Sequence, residues 1–178
     1  QDKPRLLKTP HNSRYFRDHS FLILDVALAS AAAPSYFPAV ESIDHGYFID
    51  GGVWANNPVI VGLVEAITSL GHSLEEIAIL SIGTTDPVRK YDPAHRKVGK
   101  FVWAKESVRV CMRGQSLCAT NQARLLLGDR FMRVDPMVTE NQFILDRMDA
   151  RQLLSFAAND SLHRGQEVID RFMGHTAP

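Results

Sequence analysis

The run Glu76-Ile77-Ala78-Ile79-Leu80-Ser81-Ile82-Gly83-Thr84 leaves few folds open to this chain. Its apolar residues hardly alternate with polar ones, so a strand built from them needs cover on both faces, as a parallel central strand has. Just upstream, Ile60, Leu63, Val64, Ile67 and Leu70 repeat at helical spacing on one stripe, and Gly71 follows as a C-terminal stop. A helix, then a buried strand, then a Gly-Thr loop predicts an α/β architecture, with a layered sheet carrying helices on both faces. In such sheets the loops at the carboxyl ends of the strands gather the functional groups.

The stretch Tyr47-Phe48-Ile49-Asp50-Gly51-Gly52-Val53-Trp54-Ala55-Asn56-Asn57-Pro58 is the candidate for such a loop. Three apolar residues carry Asp50 to the end of a strand, a position suited to a general base. Gly51 and Gly52 lack the Cβ atoms that would hold another backbone or a ligand away from it. Asn57 can cap the next helix through its side-chain oxygen, and Pro58 fits the first helical position, with Asn56 completing the bracing turn. The local pattern also admits a hairpin, with Tyr47–Ile49 and Val53–Ala55 as paired strands around Asp-Gly.

At 178 residues the chain is the size of one domain and can bury a core. Twenty basic residues balance twenty acidic ones, which leaves no overall field to recruit nucleic acid. Charges or prolines interrupt every apolar stretch before it reaches the length of a membrane span. The start, Gln1-Asp2-Lys3-Pro4-Arg5, has no apolar signal region and no initiator Met, the expectation for an excised piece or a processed chain. Cys111 and Cys118 lie seven residues apart, about 10 Å along a helix and beyond disulfide reach, which suits a reducing cytosol. The seven histidines show no metal-ligand spacing, so neither metal nor cofactor is expected.

Other elements follow from propensity and punctuation. Arg5–Thr9 reads as a short strand. Phe21–Leu24 leads into an Ala-rich helix with Asp25 near its positive end, stopped by Pro34. Ser35–Pro38 reads as an aromatic loop, and Asp86–His95 as another loop. A long helix is expected to bury a stripe of Ala104, Val108, Cys111, Met112, Gln115, Cys118, Ala119, Gln122, Ala123 and Leu126, with a possible kink at Gly114. Lys105, Arg109 and Arg113 flank it as a solvated face or a contact for anionic headgroups. Phe131–Asp135 reads as an edge strand closed by Pro136. Asp146 is expected to cap a helix with Ala150, Leu153, Leu154, Ala157 and Ala158 inward, and a break near Asn159 to separate it from a last helix, Leu162–Met173. Residues 1–178 are read as one domain, mainly helical over 97–173.

The Ala-rich helix broken at Pro34, then Tyr36-Phe37-Pro38, Phe48-Ile49-Asp50-Gly51-Gly52 and Asn56-Asn57-Pro58, resembles the second half of the patatin-like phospholipases, clearest over residues 5–85. Ser81-Ile82-Gly83-Thr84 is similar to the family's Ser-x-Gly-Thr-Gly segment, with Thr85 at the last glycine. The resemblance implies a patatin-like fold, incomplete in this chain, and gives Asp50 the role of base in a Ser–Asp dyad. It implies a cytoplasmic acyl hydrolase acting on phospholipids or related esters, in peripheral contact with membranes, without cofactor.

An Asp base needs a nucleophile on a strand-to-helix turn of Gly-x-Ser-x-Gly form. Gly71-His72-Ser73-Leu74-Glu75 follows a helix and ends in Glu; Gly114-Gln115-Ser116-Leu117-Cys118 lies inside a helical pattern. Neither has the context of an elbow. In the family the serine and the oxyanion loop precede Asp-Gly-Gly, so the expectation is a chain that supplies the base and lacks the serine, completed by a second chain or an oligomer. Two rivals are a non-catalytic regulatory or lipid-binding module, and a hydrolase pairing Asp50 with His19 or His45.

Overall fold

The computed structural model describes residues 3–34, 36–42, 46–88, 99–139, 142 and 149–174, with the side chains of 86, 88, 100–106 and 150 left aside. These fall into two compact units, residues 1–77 with 99–126, and residues 78–98 with 127–178.

In the first unit, the chain from Lys3 to Arg17 is irregular, so Arg5–Thr9 is not a strand. Its side chains instead tie it to a helix. Lys8 Nζ donates to Glu65 Oε2 and, at 3.1 Å, to the Tyr15 hydroxyl, while His11 Nε2 meets Glu65 Oε1 at 2.9 Å. Helix α1, Ile23–Ala31, has Asp25 in its first turn and buries Ala29, and Ala32 just past its end is buried too. Strands β1, Val40–Ser42, and β2, Gly46–Phe48, form an antiparallel pair with Val40 opposite Phe48. The expected hairpin of Tyr47–Ile49 with Val53–Ala55 is therefore not the one that forms. The partner of Tyr47 and Phe48 lies upstream, and Gly52–Ala55 is a single helical turn, α2.

Helix α3, Val59–Thr68, ends as expected: Gly71 adopts φ +77°, a conformation open to glycine. Its buried face is Val59 and Leu63, whereas Val64, Ile67 and Leu70 are 50%, 40% and 53% exposed. The expected stripe is thus only partly covered. Helix α4, Lys100–Leu127, runs without a break through Gly114. It buries Ala119, Thr120, Ala123 and Leu127, a narrower stripe than expected; Cys111 and Cys118 are exposed free thiols.

In the second unit, β3, Ile79–Ile82, pairs in parallel with β5, Phe131–Val134; β4, Asp86–Val88, pairs in parallel with β6, Met137–Thr139. The two ladders are offset by one residue. Between Ile82↔Val134 and Asp86↔Met137 stand Gly83, Thr84 and Thr85 on one strand but Asp135 and Pro136 on the other. That is a β-bulge, and Thr85 takes it up with φ +96°, a strained value for a β-branched residue. Asp135 holds the bulge: its Oδ1 accepts from Thr85 N at 3.1 Å, and Arg133 grips Oδ2 at 2.6 Å while donating to Ser81 Oγ at 2.7 Å. A Cβ on Gly83 would lie 2.2 Å from Asp135 Cγ, so a side chain there would push the Asp135 carboxylate off these bonds.

The strand expected to be covered on both faces has one hydrogen-bonded neighbour among the described residues, and Ile82 is 71% exposed. Among the described residues the sheet content is three two-stranded pieces, which makes a mixed α/β fold with small sheets. Helix α5, Ala150–Val168, is capped by Asp149, whose Oδ1 accepts from Arg151 N and Gln152 N, both at 3.1 Å. Asp146, expected in that role, lies outside the described residues, as does His45. The helix passes Asn159 unbroken into a π turn, Ile169–Met173. Leu153, Leu154, Ala157 and Ala158 are exposed, contrary to expectation, and Phe156 is the half-buried residue of that segment.

Candidate functional site

Asp50 sits half-buried where β2 gives way to α2. Two bonds fix it. Its N–H donates to Ala32 O, just past the end of α1, at 3.0 Å, and its Oδ1 accepts from Gly52 N at 2.8 Å. Close approach at Ala32 is possible because α1 ends in alanines. The carboxylate thereby takes the first amide of the next helical turn, which leaves acceptor capacity on Oδ2.

The two glycines differ. Gly51 has ordinary right-handed angles, φ −69° and ψ −9°, and a Cβ there would meet nothing within 4 Å. A Cβ on Gly52 would stand 3.4 Å from Asp50 Oδ1, 3.5 Å from Met112 Cε and 3.6 Å from Asn56 Oδ1, all ordinary contacts. Neither position therefore needs glycine for its own backbone.

Asn57 is the anchor. It is 2% exposed, and each of its polar groups is engaged. Its Oδ1 accepts from Val59 N at 3.2 Å, but the helix starts one residue later than expected: Pro58 takes the cap position in place of Asn57, and Val59 in place of Pro58 is the first helical residue. Its Nδ2 donates to Thr120 Oγ1 at 3.0 Å and reaches Ser116 O at 3.4 Å. Gln115 clamps the Asn57 backbone from both sides: Oε1 accepts from Asn57 N at 3.0 Å and Nε2 donates to Asn57 O at 3.1 Å. Gln115 and Thr120 thus support the site, and the sequence does not point to them, because they meet Asn57 across 58 and 63 residues.

The two near-elbows behave as their context requires. Ser73 caps the 3-10 turn Leu74–Glu76, with Ser73 N donating to Glu76 Oε2 at 2.9 Å. Ser116 is in mid-helix, and its carbonyl serves Asn57 and Thr120. Among the described residues no group of three His, Cys, Asp or Glu side chains is placed to hold a metal ion. His19 Nδ1 is turned onto Phe16 O within its own loop.

Residues 3–63 match the family model of the patatin-like phospholipases. A cGAMP-activated phospholipase of Pseudomonas aeruginosa is 32% identical over 175 residues, covering 96% of this chain and 51% of the relative. Proteins of the same description from Vibrio cholerae and Escherichia coli are each 41% identical, over 88 and 87 residues, covering 46% of this chain and 25% and 24% of their own lengths. The chain thus spans about half the length of the Pseudomonas relative and about a quarter of the other two. No solved structure matches. The stretch that holds Asp50, Gly51, Gly52 and the Asn57 anchor thus lies within the residues that match the patatin-like phospholipase family model.

Proposed function

We propose that this chain is the base-bearing, C-terminal portion of a phospholipid acyl hydrolase that uses a Ser–Asp dyad, with Asp50 as the base and the serine outside these residues. The observation that carries the reading is the Asp50 carboxylate held at a strand-to-helix junction by Gly52 N, with Oδ2 left as an acceptor. In the reaction, Asp50 takes the proton of the serine hydroxyl as its oxygen attacks the acyl carbonyl carbon. The proton passes to the departing lysolipid oxygen as the ester bond breaks. Water then attacks the acyl-serine, gives its proton to Asp50, and releases the fatty acid as the serine is reprotonated.

Exposed apolar residues on the same unit support the second half of the proposal. Leu22, Ile23 and Leu24 at the start of α1 are 65%, 88% and 65% exposed, and Tyr47 and Ile49 beside Asp50 are 73% and 55% exposed. Apolar surface of that kind marks a face made to be covered. Polypeptide corresponding to the remainder of the relatives would cover it and bring the serine. By the same relationship, the complete enzyme is switched on by a cyclic dinucleotide and works at a bilayer surface. No helix among the described residues is long and apolar enough to cross a membrane.

The test compares fatty-acid release from phospholipid vesicles by the full gene product, its Asp50→Asn variant and the 178-residue chain. Release is expected from the first only, with and without cGAMP separating basal from activated rates. Wild-type turnover by Asp50→Asn would remove Asp50 from the mechanism. Asp50-dependent turnover by the chain alone would show that the nucleophile is inside it.

A further inference from the structure

Helix α5 and the π turn that continues it have two sides of opposite character. The side with Asp160, Arg164 and Arg171 is tied to its own unit: Arg171 donates to the carbonyl oxygens of Asp129 and Phe131, and Asp160 and Arg164 face Pro136 and Met137 across a groove. The charges there also pair along the helix, Arg164 Nε with Asp160 Oδ1 at 3.4 Å and Arg171 Nη1 with Glu167 Oε1 at 2.7 Å. The other side carries Leu154, Ala158, Leu162, Gly165, Ile169 and Met173, spaced by three or four residues and so aligned on one stripe. Leu154 and Leu162 are 70% and 82% exposed, and Ile169 and Met173 are exposed with them. No charged residue falls on the stripe between Leu154 and Met173.

We propose that this stripe pairs two copies of the protein, α5 against α5, antiparallel about a two-fold axis between Ser161 and Leu162. The stripe is its own complement when reversed. With the axis there, Leu154 of one copy stands opposite Ile169 of the other, and Ala158 stands opposite Gly165. Large side chains meet at both ends, and small ones meet on either side of the centre, where two backbones can approach. A two-fold contact requires such a self-match, and a face made for an unrelated surface does not. The charges agree. Arg151, exposed, opens the stripe at its amino end, and Asp170, also exposed, flanks its carboxyl end. Antiparallel pairing brings each Arg151 to the Asp170 of the other copy, whereas parallel pairing would set like charges side by side. Asp170 accepts from Gln166 Nε2 at 2.7 Å through Oδ1, which leaves Oδ2 for that partner.

The test is analytical ultracentrifugation of the full gene product over about 1–100 μM, because a single helix pair is at the small end of stable interfaces. A monomer–dimer equilibrium is expected. Leu162→Glu places a carboxylate at the axis and should raise the dissociation constant at least about tenfold. Since Leu162 is exposed, that variant should keep the far-ultraviolet circular dichroism of the wild type. Arg151→Glu should weaken the dimer, and adding Asp170→Arg should restore it, a rescue that a folding defect would not give. Orientation is read by oxidative cross-linking with Cys111 and Cys118 replaced by serine. Leu162→Cys should link to its own copy across the axis, and Leu154→Cys should link only when mixed with Ile169→Cys. A dimer indifferent to Leu162→Glu would overturn the proposal, as would self-linking of Leu154→Cys. Monomers throughout the range would also overturn it, and vesicle binding by those monomers through Leu162 would give the face to a bilayer instead.

Discussion

Replacing Asn57 tests whether the site is anchored as the geometry says. In Asn57→Ala, Val59 N–H loses its acceptor at a residue only 7% exposed, and an orphaned buried donor costs about 1–3 kcal/mol. The 3.0 Å bond to Thr120 Oγ1 adds about 1 kcal/mol. The 3.4 Å contact with Ser116 O adds little, because Thr120 Oγ1 already serves that carbonyl at 2.9 Å. The loss expected is therefore about 2–4 kcal/mol. Asn57→Ser keeps an oxygen that can accept from Val59 N and gives up only the tie to α4, so about 1–2 kcal/mol is expected. With urea slopes of about 1–3 kcal/mol per molar, the Asn57→Ala midpoint should fall by about 1 M or more at unchanged slope. A loss within about 0.5 kcal/mol, the range of ordinary surface substitutions, would refute the argument that Asn57 holds α3 to α4. Equal losses for Ala and Ser would place the energy in the α4 tie and none in the cap.

Three further outcomes follow from single positions. Gly51→Ala fits its right-handed backbone and its Cβ would meet nothing, so stability should be unchanged or rise by about 0.5 kcal/mol, read as the melting temperature; a loss above about 1 kcal/mol would refute this. Thr85→Gly should stabilise by about 1 kcal/mol, the relief of φ +96° less the added chain entropy, read as a raised melting temperature. The Lys8 hydrogen bond holds the Glu65 carboxyl down to about 2, below its ordinary 4.5. A depressed carboxyl contributes stability that is full above its unfolded value and is lost as pH falls from about 4.5 towards 2. Melting temperatures taken across that window should fall more steeply for wild type than for Glu65→Gln, and parallel curves would dismiss the pair as a contributor.

What could be read from the chain was what local chemistry decides. Pro34 and the alanines before it set α1, Gly71 ends α3, and the apolar runs at Ile79–Ile82 and Phe131–Val134 became paired strands. Asp50 at a strand end followed by a helix start was also legible, because Asp-Gly-Gly and Asn-Asn-Pro act within a few residues. Pairing was not. Val40–Ser42 carries no strand pattern, so the choice of β1 over Val53–Ala55 as partner for β2 could not be seen. Nor could Gln115, Ser116 and Thr120, which meet Asn57 across 58, 59 and 63 residues. Periodicity gave stripes without saying what lies over them: Leu154 on α5 is apolar and 70% exposed, and Val64 on α3 is 50% exposed.

These two classes of residue divide the work of the site. Every bond that places Asp50 belongs to this chain: Ala32 O receives its amide, Gly52 N grips its carboxylate, and Gln115 with Thr120 pins the start of the helix that follows. All are short polar ties, directional and saturated, and none depends on the apolar side chains left exposed around them. In the proposed dyad Asp50 would therefore be organised before the nucleophile arrives, and its ordering cost would not fall on the encounter. The exposed Leu22–Leu24 and Tyr47–Ile49 groups have the opposite character, non-directional and worth about 1.5–3 kcal/mol each when fully covered. On the proposed reading, assembly energy would sit in one set of residues and the placing of Asp50 in another. A substitution such as Ile23→Ser should weaken assembly of the active enzyme while leaving the position of Asp50 intact.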